Sequence, residues 1–261
     1  MERITSKDNE KIKWLIKLRE NRKSREESAS FLTEGTRMAQ EVLRCGLSLQ
    51  QVFASEDSAA RHAPLWDALC RKAQAAYLVS GSLEAKISSV KTPQGIYCVC
   101  KMPQRPPRQI AGSGDKFLAL DHLQDPGNLG TIIRTADAFG ADGILLSEGC
   151  ADCYSPKVLR STMGSVFRLP VWTVPDLVQT LEDLKKEGFA SFGAALDDTA
   201  VRLGEFRFPQ KAVTVVGNEG NGISQSVLNA CEKTLYIPMK GEAESLNAGV
   251  AASLILWEMC R

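Results

Sequence analysis

Asn128, Arg134, Glu219, Ser245 and Asn247 are the residues whose types and positions could do chemistry together. They lie in or just beyond three loops, 122–128, 217–222 and 238–246, each of which follows an apolar, strand-like run. The set offers amides, a hydroxyl, one carboxylate and one guanidinium, with no metal cage and no strong base. Such groups suit a reaction whose reagent arrives already activated, the protein positioning the partners. Other chemistries lack their parts. The 217–222 loop has a GxxGxG spacing rather than GxGxxG and no P-loop lysine, which argues against dinucleotide binding and NTP hydrolysis. Cys150-x-x-Cys153 has no second matched pair, and the chain holds only two histidines, so no metal is expected. His122 has no G-x-S-x-G serine to work with, so a hydrolytic triad is unsupported. Asn247 also has a plainer reading, as the N-cap of the last helix.

The elements that must position these groups alternate between strand and helix. Phe117–Asp121 reads as a buried parallel strand, followed by the 122–128 turn and a helix over 129–139 that Gly140 closes. Further strands are expected at 143–146, 167–173, 190–195, 212–216 and 235–237, with helices at 155–163, 177–187, 224–230 and 247–259. In open α/β sheets, ligands sit at the carboxyl ends of strands, where all three loops fall. Upstream, residues 6–30 read as one charged helix with Ile12, Leu15, Ile16 and Leu18 on its apolar stripe. Short strands and helices then alternate to residue 100, which makes a small α/β domain.

The Pro/Gly-rich stretch Met102–Gly114 sets the boundary, giving domains 1–103 and 117–261 joined by a linker over 104–116. Residues 1–103 carry 17 Lys+Arg against 12 Asp+Glu, whereas residues 117–261 carry 12 against 18. A basic front and an acidic back suggest that the front meets a polyanion. Arg22, Lys23 and Arg25 form its densest cluster and are candidate phosphate contacts. No apolar run reaches transmembrane length. A charged N-terminus and eight cysteines fit a reduced, cytoplasmic protein.

At this point the residues carry a resemblance. Asp125-Pro126-Gly127-Asn128-Leu129-Gly130 through Arg134-Thr135-Ala136 resembles the first motif of the SpoU (TrmH-type) RNA 2′-O-ribose methyltransferases of the SPOUT class. Val216-Gly217-Asn218-Glu219-Gly220 through Ile223 resembles the second. Ile237-Pro238-Met239 with Ser245-Leu246-Asn247 and Val250-Ala251 resembles the third. Residues 1–100 resemble, more loosely, a ribosomal-protein-like RNA substrate-binding domain.

The resemblance implies a C-terminal SPOUT domain, a parallel sheet whose C-terminal segment is tied into a deep trefoil knot, and a homodimer. It implies S-adenosylmethionine as cofactor, contacted by Val216, Gly217, Ile237, Met239 and Leu246. The substrate it implies is RNA, most simply ribosomal RNA; a tRNA enzyme and a catalytically silent RNA binder are the alternatives. The family's proposal makes the Arg134 equivalent the base. Arginine stays protonated, so a cation that holds a phosphate and stabilises the developing alkoxide is the better reading. Asn128 would position Arg134 or the ribose, Glu219 would orient Arg134 or the third loop, and Ser245 and Asn247 would shape the reacting corner. Arg160 matches a basic position that faces RNA. Ala248-Gly249 stands where Val-Ser is common in the family, a small-for-small change.

Overall fold

The computed structural model describes residues 2–197, 199–243 and 245–261; Glu244 of the third loop lies outside the described residues. Two compact units form, Met1–Gln104 with Asp152–Phe167, and Arg105–Ala151 with Arg168–Arg261.

The first unit holds strands β1 (Glu2–Ile4), β2 (Ser30–Glu34), β3 (Leu49–Ser55), β4 (Ala75–Val79) and β5 (Ile96–Lys101), in the order β1-β4-β3-β5-β2. β1, β4 and β3 run parallel, and β5 is antiparallel to both β3 and β2. Helices α1 (Glu10–Glu20), α2 (Arg22–Ser28), α3 (Thr36–Arg44), α4 (Glu56–Arg61), α5 (Ala63–Lys72) and α6 (Gly81–Ile87) connect them. Ile12, Leu15 and Leu18 of α1 pack with Phe53, Tyr97 and Val99 of the sheet. Cys98 and Cys100 are core residues of β5, and burial pushes the Cys98 thiol up to about 12.

The single helix expected over 6–30 is two helices. Asn21 adopts an extended backbone, ends α1 and caps α2 by accepting from the Ser24 N–H. An asparagine side chain that bonds the backbone locally competes with continuing the helix. The break turns Arg25 inward. Its residue is 3% exposed, its Nε and Nη2 bind Asp152 at 2.7 and 2.6 Å, and its Nη1 donates to the Leu18 carbonyl at 2.6 Å. A guanidinium so enclosed is spent inside the fold, so Arg25 is corrected from a phosphate contact to an internal tie.

The second unit begins with β6 (Lys116–Leu120), α7 (Pro126–Phe139) and β7 (Gly143–Ser147). The chain then gives α8 (Pro156–Thr162) to the first unit and forms α9 (Ser165–Arg168) before β8 (Val171–Val174). The expected boundary left this excursion in the second domain. Phe31 draws it into the first, with its ring 4.6 Å from Tyr154 and 5.8 Å from Phe167 between centroids. That anchoring holds Phe167 in a helical turn, so the strand expected from 167 starts at Val171.

The remaining elements are α10 (Leu177–Lys186), β9 (Ala190–Ala194), β10 (Val201–Arg202), β11 (Ala212–Val216), α11 (Gln225–Ala230), β12 (Lys233–Tyr236) and α12 (Ala248–Cys260). Seven strands form a wholly parallel sheet in the order β10-β12-β9-β11-β6-β7-β8. Every residue of β7 and β11 is buried, as expected of strands covered on both faces. α12 lies against α7, β6 and β11, burying Ala252, Ile255, Leu256 and Met259. Because β12, β9, β11 and β6 are consecutive neighbours, the loops leaving their carboxyl ends are neighbours too. The short strands β1 and β10 have too few residues to show a periodicity.

Candidate active site

A cavity of about 820 Å³ opens at the carboxyl ends of β9, β11 and β12. Val216, Gly217, Ile237, Met239 and Leu246 all line it, as do Glu219, Ser245 and Asn247. Its walls are mostly backbone and small or aliphatic side chains, so recognition there falls largely to peptide N–H and C=O groups with apolar contact between them.

One run of hydrogen bonds joins the three loops beside this cavity. The Asn128 amide nitrogen donates to Glu219 Oε1 at 2.9 Å. The Asn128 carbonyl accepts from the Asn247 amide nitrogen at 3.0 Å. Asn247 Oδ1 in turn accepts from the N–H groups of Gly249 and Val250, capping α12. Asn247 therefore caps α12 with its amide oxygen while its amide nitrogen bonds Asn128. Each amide has one orientation that satisfies this run, since the carboxylate accepts and the helix N–H groups donate. Burial raises the Glu219 carboxyl, but the bonds from Asn128 and from backbone N–H groups outweigh it and hold Glu219 below the usual carboxylate range. Asp125 caps α7 by accepting from the Asn128 N–H at 2.7 Å, which sets Asn128 on the first turn. Glu219 thus orients Asn128 and the first loop.

The second loop is closed on itself. Asn218 and Gly222 exchange backbone hydrogen bonds at 2.9 and 3.0 Å, and Asn218 Oδ1 accepts from the Gly220 N–H at 2.9 Å. A Cβ on Gly217 would sit 2.1 Å from the Gly222 carbonyl carbon and 2.2 Å from the Ile223 nitrogen. Glycine is needed at 217 because the loop folds back onto it.

Arg134 is placed differently. It is exposed on α7, six residues beyond Asn128, and does not line the cavity. No other described residue takes its guanidinium, and its helical neighbour Asp137 is bound by Arg168 at 2.6 Å. Arg160 is exposed on α8, where Nη1 donates to Ser89 Oγ. Arg22 pairs with Glu26 at 2.7 Å and Lys23 with Glu27 at 3.8 Å, so part of that cluster's charge is answered locally. Cys150 and Cys153 fall in different units. Among the described residues, no group of three or more His, Cys, Asp or Glu side chains is arranged to hold a metal.

Sequence reasoning missed Ala194, Ala195 and Leu196, which line the cavity from the end of β9; Ala248 and Ala251 of α12, which also line it, fall in the stretch of the third motif. The strand-end rule could have found the first three. Only their lack of distinctive side chains hid them.

Residues 115–257 match the SpoU rRNA Methylase family, and residues 9–98 match an MRM3-like substrate binding domain. The chain is 34% identical over 259 residues to the 23S rRNA (guanosine(2553)-2′-O)-methyltransferase RlmP of Bacillus subtilis, covering 99% of each chain. The SpoU methyltransferase AviRb from Streptomyces viridochromogenes, solved with AdoMet, superposes with a TM-score of 0.85 at 29% identity, covering 96% of each chain. An AdoMet-bound rRNA methyltransferase from Sinorhizobium meliloti gives 0.86 at 28% identity, covering 98% of this chain and 96% of that one. Fold and site define a SPOUT-class methyltransferase. The chain belongs to the SpoU rRNA methylase family.

Proposed function

We propose that this chain transfers a methyl group from S-adenosylmethionine to a ribose 2′-oxygen of ribosomal RNA. The observation that carries the reading is the Glu219–Asn128–Asn247 run, which binds three loops into one corner beside a cavity of about 820 Å³. The cavity suits the cofactor. Backbone groups of 216–220 and 235–237 can read the edge of an adenine, while Leu196, Met239, Leu246 and Ala251 offer apolar contact.

The bound cofactor supplies an activated sulfonium methyl. The chain's own residues then have three tasks. Arg134, exposed and uncommitted among the described residues, binds the phosphate beside the reacting ribose and stabilises negative charge on the 2′-oxygen. Asn128, locked between Glu219 and Asn247, presents fixed hydrogen-bonding edges to the ribose. Ser245 and Asn247 shape the corner where methyl and hydroxyl meet. Lys23, Arg22 and Arg160 supply phosphate contacts on the first unit, where the substrate-binding match falls.

A homodimer and a knot belong to the same reading. Val250, Leu254 and Trp257 form an exposed apolar stripe on α12, spaced four and three residues apart, which suits a second copy. The knot is supported by the return of β11 between β9 and β6 and by the seating of α12 against both β6 and β11. Leu254→Glu is expected to shift the protein from dimer to monomer in sedimentation velocity. A parent chain that is monomeric at micromolar concentration would remove the dimer.

The function is tested by incubating the protein with tritiated S-adenosylmethionine and RNA lacking the modification. Label is expected on a ribose oxygen of ribosomal RNA. Label on a base or on protein would remove the assignment, and label on tRNA alone would move the substrate.

A further inference from the structure

We propose that His122 is an RNA-contacting residue on the rim of the active site, its imidazole held by Asp121 so that Nε2 faces the ribose–phosphate backbone. The inference rests on the RNA methyltransferase reading above.

Asp121 directly follows β6, with its side chain 1% exposed. One carboxylate oxygen accepts from the Ser224 N–H at 2.8 Å, and the other lies 2.7 Å from His122 Nδ1. Burial raises this carboxyl, but the bonds from Ser224 and His122 win and hold it below the usual range, so it is an ionised acceptor. The shared proton therefore sits on Nδ1, and among the described residues Nε2 is the free end of the ring. The ring is not packed away, since the His122 side chain is 56% exposed.

The surroundings are built to hold it there. His122 takes φ +54°, a left-handed backbone that side chains other than glycine rarely adopt. Gly149 stands beside the ring, and a Cβ there would lie 2.9 Å from His122 Cδ2. The His122 N–H donates to Ser147 Oγ at 2.9 Å, and its carbonyl accepts from the Asn218 amide at 2.8 Å. The same two loops meet again where the Asp125 N–H donates to Glu219. An oriented, half-exposed imidazole is thus tied to the loop that carries Glu219. It does not line the cofactor cavity. A group oriented beside the loop that carries Glu219 but outside the cofactor's cavity is available to the other substrate, and an imidazole nitrogen suits ribose hydroxyls and phosphate oxygens.

The test measures methyl transfer to unmodified ribosomal RNA at saturating S-adenosylmethionine. His122→Ala is expected to raise the KM for RNA about tenfold, with kcat within about threefold of the parent. Cofactor affinity by calorimetry should not change. His122→Gly removes the ring but suits the positive φ, so it should show the same KM defect. An RNA KM within about twofold of the parent in the alanine variant overturns the proposal. Recovery of the parent KM by the glycine variant also overturns it, because backbone conformation and not the imidazole would then be what counts. A parent protein that labels no RNA removes the methyltransferase reading and this inference with it, a result distinct from either variant outcome.

Discussion

Arg134→Ala is expected to lower methyl transfer by about 10²–10³-fold, the scale of removing one preorganised group that stabilises developing charge. Cofactor affinity should be nearly unchanged, because Arg134 does not line the cavity. Stability should move by no more than about 0.5 kcal/mol, since the side chain is exposed and no other described residue pairs with it. These facts separate Arg134 from Arg25, whose guanidinium is internal and paired with Asp152. Arg134→Lys should recover only part of the activity. An ammonium keeps the charge but loses the planar fork that matches phosphate. Calorimetry, thermal melting and tritium transfer on one preparation check all three expectations. Undiminished transfer in the alanine variant would remove Arg134 from the chemistry, and a collapsed melt would make it structural.

Gly217→Ala is expected to cost the protein its cofactor. The added carbon would overlap the backbone of Gly222 and Ile223 at 2.1 and 2.2 Å. Backbone atoms cannot move aside as a flexible side chain can, and the Asn218–Gly222 bridge holds them in place. The loop must open, which displaces Glu219 and with it the bond to Asn128. Overpacking of this kind costs about 1–3 kcal/mol. The melting temperature should fall, and S-adenosylmethionine affinity should drop by at least about tenfold. Unchanged cofactor affinity would mean that the 217–222 loop is not part of the binding wall.

Other features differ in how far they could be read before the fold was known. The strands were legible because Phe117–Leu120 is a continuous apolar run and Ala212–Val216 is interrupted only by Thr214, and burial on both faces demands that pattern. The caps were legible because capping is local: Asn247 reaches residues two and three ahead of it. The basic cluster at 22–25 misled. Sequence counts charges but does not show that Asn21 breaks the helix, that Arg25 turns inward, or that Glu26 and Glu27 answer its neighbours.

By itself, the amino-acid sequence determined the parallel α/β character of the second unit, the three strand-end loops and the residue types available for chemistry. These follow from periodicity and from side chains acting over a few positions. Only the tertiary structure decided that Glu219 holds Asn128, that the Asn218 amide bonds the His122 carbonyl, that Asp152–Phe167 joins the first unit, and that Ala194–Leu196 completes the cavity. Each of these depends on which strands or rings become neighbours, a pairing of residues far apart along the chain that no local pattern encodes.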